Sequence, residues 1–226
     1  MKRSEINLIQ EEAKRFLADR RFPLPPWAFR RPADWRGLGS EIDEIRENAL
    51  GWDVTDFGSR DFARRGLFLF TLRNGNPNRD RKPYAEKIMI VGPMQETPMH
   101  FHRRKMEDII NRGGGRLVIE VHASTRDGQL APEAVELSVD GVRRRVAAGS
   151  GIILESGESV CLEPFVYHRF WAEGEKTLVG EVSMANDDVG DNRFLEPVGR
   201  FPEIEEDEEP LHLLVSDYAR WLGAHR

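Results

Sequence analysis

Along this chain of 226 residues the spacing of apolar positions changes character after the first 50 or so residues. Near the start, Ile6, Ile9, Ala13, Phe16 and Leu17 fall three, four, three and one apart, a single helical stripe, with Ser4 ahead of them as the expected N-cap. A helix that is apolar on one side needs a larger body to pack on. Pro23, Pro25, Pro26 and Pro32 then punctuate a segment carrying Phe22, Trp27, Phe29 and Trp35, which predicts an extended arm lying on a surface. A second short helix is expected around Ser40 to Ala49, with Gly51 near its end.

From Trp52 the pattern becomes short β-rich runs separated by turn residues, at the spacing of a sandwich or barrel. Strands are expected at 52–57, 66–73, 85–91, 97–103, 116–123, 134–139, 142–147, 151–154, 159–163, 167–172 and 177–184. Asp140-Gly141, between ELSV and VRRRV, is a two-residue hairpin signal. Beyond the last strand come DDVGDN, the acidic FPEIEEDEEP and a short closing helix in LHLLVSDYARWL, with no internal repeat. The expected fold is all-β with helical extensions, in one structural domain. Residues 1–50 are expected to form the helix and arm packed on this β body, and residues 51–226 the β body with its acidic loop and C-terminal helix.

Composition narrows the function classes. Hydrophobic residues make up 39% and charged residues 32%, so a core is affordable and the surface is more charged than the usual ~25%. Disorder is thereby a poor explanation of the chain. Lys and Arg total 33 against 39 Asp and Glu, a net charge of −6, without the basic excess of a nucleic-acid binder. No run approaches the roughly 20 apolar residues of a membrane-spanning helix, so no membrane partner is expected. MKRSEINLIQEEAKRF has no unbroken apolar stretch behind its basic residues, so a cytoplasmic location is expected. The single cysteine, Cys161, permits neither an intrachain disulfide nor a thiolate zinc cage, and fits as a small apolar packing residue.

Candidate chemistry concentrates in Thr97-Pro98-Met99-His100-Phe101-His102-Arg103-Arg104-Lys105-Met106-Glu107. On a strand, His100 and His102 project from the same face and Phe101 from the other, whereas on a helix the two imidazoles would diverge by about 200°. Pro98 and the β-rich surroundings favour the strand. Glu107 follows after a basic turn, and His168, in Pro164-Phe165-Val166-Tyr167-His168-Arg169-Phe170-Trp171, supplies a further imidazole. Three imidazoles and a carboxylate suit Mn²⁺, Fe²⁺, Ni²⁺ or Zn²⁺. Lys87 lies in an apolar strand before the His-x-His pair. If its parity points inward its ammonium can hold a substrate oxygen; otherwise it is a snorkelling surface lysine. Lys105 is expected to face outward from the turn. His122 reads as a strand residue near the surface, and His212 and His225 lack ligand spacing. Trp171 and Tyr167 fit either a pocket wall or the core.

Gly92, His100, His102, Glu107 and Gly114 together resemble the first cupin motif, and Gly157, Pro164 and His168 resemble the second, with its middle glycine absent. TPMHFHRRKMEDIINRGGG, NGNPNRDRKPYAEKIMIV, EPFVYHRFW and FLEPVGRFPEIEEDEEP, in that order, are similar to the bacterial D-lyxose isomerase family. The resemblance implies a cupin, a jelly-roll-like β-barrel, acting as a homodimer on a sugar. It implies interconversion of D-lyxose and D-xylulose, with D-mannose and D-fructose as secondary substrates, by proton transfer through a cis-enediolate. It further implies a divalent ion, preferably Mn²⁺ with Co²⁺ as another possibility, on His100, His102, Glu107 and His168. A glutamate of the acidic tail would carry the proton, Glu203 on the present reading, with Glu205 two positions on as its alternative. A non-haem iron dioxygenase and a non-catalytic sugar-binding cupin are the competing functions, since a fold does not determine its chemistry.

Overall fold

The computed structural model describes residues 1–76, 78, 79, 81–187, 190–201 and 203–222. Helix α1 spans Arg3–Asp19, and two single 3₁₀ turns, Pro26–Phe29 and Pro32–Trp35, shape the arm. Proline at the first position of each turn is tolerated because that position has no helical N–H bond to lose. The second helix reduces to a 3₁₀ turn at Ser40–Ile42 and α2, Asp43–Glu47. The strands are β1 (Gly51–Thr55), β2 (Leu67–Asn74), β3 (Tyr84–Val91), β4 (His100–His102), β5 (Glu107–Gly113), β6 (Arg116–Ala123) and β7 (Val135–Val139). They continue with β8 (Val142–Val146), β9 (Gly151–Leu154), β10 (Ser159–Leu162), β11 (Val166–Glu173), β12 (Thr177–Met184) and β13 (Asn192–Phe194). A 3₁₀ turn at Val215–Asp217 and α3, Tyr218–Trp221, close the described chain.

Two antiparallel sheets face each other. One has the order β1-β2-β3-β12-β5-β10-β7-β8 and the other β13-β4-β11-β6-β9. Met89, Val91, Ile109, Ile119, Leu154, Phe170 and Val179 fill the space between them. The opposite face of β1 to β3 is also buried: Ile6, Ala13 and Leu17 of α1 and Ala28 of the arm pack there on Trp52, Phe68, Phe70 and Ile88. Each Ile, Leu or Phe among them is worth about 1.5–3 kcal/mol of transfer free energy. Burial on both faces explains why these strands read as continuous apolar runs instead of alternating.

Three expectations need correction. Ser4 is not the N-cap; Lys2 is, and Ser4 sits in the first turn with its N–H and hydroxyl donating to Asp207 at 2.9 and 2.7 Å. Strand β5 lies in a stretch with no expected strand, because the outward Asp108 and Arg112 and the buried polar Asn111 break the apolar count that marks strands elsewhere. The expected strand 97–103 shrinks to β4, since Thr97 and Pro98 precede the ladder with β11 and β13. Asp140 and Gly141 both have positive φ, 49° and 79°, the conformation the tight β7–β8 hairpin demands.

Candidate active site

Strand parity assembles the site. Lys87 shares its face of β3 with Met89 and Val91, which belong to the barrel interior, so its side chain points inward and is 6% exposed. His100 pairs with His168 across β4 and β11. Glu107 opens β5 opposite Ser183 of β12, and Glu181 of β12 faces Lys87 of β3. One cavity is consequently lined by Lys87, His100, His102, Lys105, Glu107, His168 and Glu181, with Leu69, Met89, Ile109 and Phe170 among its apolar walls.

Two of the three histidines are oriented by backbone carbonyls. His100 Nδ1 lies 2.9 Å from the Pro98 carbonyl and His168 Nδ1 lies 3.0 Å from the Val166 carbonyl. A carbonyl only accepts, so each Nδ1 donates to it, which leaves Nε2 as the ring atom turned toward the cavity. Burial, reinforced by the neighbouring imidazoles, holds His100 neutral well below the ordinary histidine range. Burial also lowers His102. The ligating atoms of His100, His102 and His168 lie within 4.8 Å of one another, and Glu107 Oε1 is 3.3 Å from His102 Nε2 and 3.0 Å from His168 Nε2. The buried His102 Nδ1 has no hydrogen-bond partner. Imidazoles converging on a buried carboxylate fit a divalent ion by donor chemistry.

A second layer of charge stands behind this set. Lys105, 3% exposed, places its ammonium 2.7 Å from Glu107 Oε2 and 2.8 Å from Glu181 Oε1. Lys87 Nζ is 3.2 Å from the same Glu181 oxygen, and the Ser183 hydroxyl donates to it at 3.0 Å. Burial opposes the charge on Lys105, but the two carboxylates outweigh it and raise its affinity for the proton. Burial likewise opposes ionisation of Glu181, and Lys105 and Lys87 overcome it, leaving the carboxyl below its usual range. Lys105 therefore faces inward, contrary to expectation. The cause is Asp191, whose carboxylate accepts the backbone N–H groups of Arg104 and Lys105 at 2.8 and 3.0 Å and turns the chain between the ligands.

Glu203 is placed elsewhere. Its side chain is exposed, it does not line the cavity, and its carbonyl accepts the terminal ammonium of Met1 at 3.1 Å. Glu205 is also exposed, bridged to Lys2. Pro202 and His225 lie outside the described residues. Tyr167 is fully buried, donating to the Gly128 carbonyl on the outer face of its sheet, and His122 sits there half-buried beside Glu120. His212 is buried against Trp52, their rings stacked 5.4 Å apart. Cys161 is half-buried, which pushes its thiol up to about 11. Sequence reasoning missed Lys105, Glu181 and Asp191. Glu181 alone carried a signal, an isolated carboxylate inside the apolar run LVGEVSM.

A larger cavity of about 810 Å³ adjoins the site, sharing Lys105, with Asp53, Asn74, Arg104 and Asp191 among its lining residues. Arg200, in the wall of the inner cavity, pairs with Asp53 of the outer one at 2.6 Å.

Comparison with known proteins gives three concordant findings. The family model described as D-lyxose isomerase matches residues 1–218. A D-lyxose/D-mannose isomerase of Serratia proteamaculans is 53% identical over 230 residues, covering 99% of this chain and 100% of that protein. The enzyme of the same name from Escherichia coli O157:H7 is 47% identical, covering 98% and 100%. Among solved structures, L-ribose isomerases from Cellulomonas parahominis (with L-ribose) and Geodermatophilus obscurus superpose with TM-scores of 0.59 and 0.60, each at 19% identity and covering 91% of this chain and 98% of theirs. At that identity the likeness establishes the fold, a cupin barrel.

Proposed function

This chain belongs to the D-lyxose isomerase family, and from that membership we propose that it interconverts D-lyxose with D-xylulose, and D-mannose with D-fructose, in the histidine cavity. The observation that carries the reading is a near-full-length match to isomerases of these sugars, joined to a buried cavity in which carboxylates and ammoniums stand beside three imidazoles. His100, His102, Glu107 and His168 would hold a divalent ion, Mn²⁺ by preference. When bound, such an ion acts as a Lewis acid that stabilises negative charge on the sugar oxygens.

The chain's own groups account for the proton. Moving a carbonyl between C1 and C2 requires removal of the C2 proton, passage through a cis-enediolate and return of the proton to C1. We assign the carrier to Glu181, because Lys87 and Lys105 keep it ionised, the state in which a base must start. The same ammoniums can donate hydrogen bonds to oxygens that gain charge as the enediolate forms. Apolar walls at Leu69, Met89 and Phe170 keep water from competing for the intermediate. The outer cavity, rich in amide, carboxylate and guanidinium groups, suits the approach of a polyhydroxylated substrate. D-lyxose and D-mannose share their configuration at C2 and C3, so one site can accept both and differ only in room for C6.

The test is turnover of the Mn²⁺-loaded protein with the four sugars under anaerobic conditions in D₂O. Deuterium at C1 of the ketose is the expected result. Full retention of the C2 hydrogen would indicate a hydride shift, and absence of turnover with every sugar would defeat the substrate assignment. Oxygen consumption with substrate would favour the dioxygenase, and metal retention without turnover a binding protein. The homologues' activities favour neither alternative.

A further inference from the structure

The reverse face of the strands that carry the histidines holds a second constellation. Parity sends Phe101, between His100 and His102, and Arg193, between Asn192 and Phe194, away from the catalytic cavity. There they join Arg103, Arg126 and Phe165 around a groove of about 420 Å³, within the ~300–1,000 Å³ of small-molecule sites. Three arginines thus line one groove in a chain of net charge −6. Among the described residues none of the three makes a side-chain hydrogen bond or an ion pair, whereas Arg104 and Arg169 close by do both. Asp127 is the one carboxylate in the lining, and it accepts a 2.6 Å hydrogen bond from Thr125.

Three arginine charges with a single carboxylate, Asp127, among them repel on balance, and a ligand anion offsets that cost. The cluster is also built, not merely exposed. Arg193 Nε is buried without a partner, and its guanidinium lies against Gly128, where a Cβ would come within 3.3 Å of it. Tyr167 holds the Gly128 carbonyl at 2.7 Å, and Gly128 has a φ of 78°, which a side chain would resist. Phe165 borders the groove with half of its surface exposed.

We propose that this groove binds a phosphomonoester, the phosphate on the guanidiniums of Arg103, Arg126 and Arg193 and the organic moiety against the ring of Phe165. Arginine's planar fork matches phosphate oxygens, and an aromatic face accepts either the C–H face of a sugar or the plane of a base.

Isothermal titration of the full, metal-loaded chain with D-fructose 6-phosphate, AMP and inorganic phosphate tests the proposal. The expected result is saturable binding of at least one phosphomonoester, weakened about tenfold or more by Arg126→Ala, the loss of one charge-assisted contact. Stronger binding of D-fructose 6-phosphate identifies a sugar phosphate as the ligand, and stronger binding of AMP a nucleotide. Arg126 is exposed and remote from the catalytic groups, so the variant keeps its basal turnover. Absence of saturable binding by all three probes overturns the proposal. So does binding that Arg126→Ala and Arg103→Ala leave unchanged, because the anion would then occupy the histidine cavity.

Discussion

Replacing Arg3 by Met should cost about 3–5 kcal/mol of stability, although the residue is far in sequence from every group in the cavity. Arg3 has no exposed surface; it donates to Glu206 at 2.8 and 2.9 Å and to Asp217 at 2.9 and 2.8 Å. Glu206 is 28% exposed, so solvent screens its share, and most of the loss comes from Asp217, which is 5% exposed. Met fills much of the aliphatic volume, so the penalty isolates the stranded carboxylate, left with the Leu214 N–H at 2.9 Å. With a urea m-value of about 2–3 kcal/mol/M, the unfolding midpoint should fall by about 1–2.5 M. Adding Asp217→Asn removes the stranded charge, so the double variant should recover about 1–3 kcal/mol relative to the sum of the single changes. A midpoint within experimental error of the parent, or strict additivity of the two substitutions, would refute the reasoning.

Three further outcomes follow from the site and its surroundings. Glu181→Gln should lower kcat by about 10²–10⁴-fold, the usual contribution of a positioned base, while Glu203→Gln should leave it nearly unchanged; the reverse pattern would return the proton carrier to the acidic tail. His102→Ala should remove most bound Mn²⁺ by elemental analysis, and full occupancy in that variant would dismiss the ligand set. Burial, with the Lys14 ammonium 3.4 Å from Nε2, lowers the His212 pKa in the folded protein. The unfolded chain then binds the proton more readily, so stability is present above the unfolded value of about 6.5 and is lost as pH falls below it. His212→Gln should flatten the decline in unfolding free energy between about pH 7.5 and 5.5, and an unchanged slope would dissociate His212 from it.

The acidic tail illustrates where sequence reading stops. FPEIEEDEEP resembles a segment expected to supply the base, yet its carboxylates meet α1: Glu206 holds Arg3, Asp207 holds Ser4 and Glu208 holds Asn7 at 3.2 Å. Those partners lie some 200 residues away, and no local pattern announces a pairing of that range. The segment acts as a strap across the first helix, and Glu203 remains at its exposed edge.

Local periodicity determined what depends on nearest neighbours. The alternation of side chains along a strand has a period of two, so the shared face of His100 and His102 and the tight turn at Asp140-Gly141 were legible without a fold. The stripe of α1 was legible for the same reason. Tertiary structure decided what depends on strand register and on partners from other elements. The sequence leaves Lys87 free to point either way until the barrel interior claims its face, and Lys105 turns inward only because Asp191 caps two backbone N–H groups of its turn. Glu181 becomes chemically distinctive only when β12 lies between β3 and β5 and brings both ammoniums to one carboxylate. A buried charge must find its compensation in space, and the chain supplies that compensation from strands that meet only in the folded barrel.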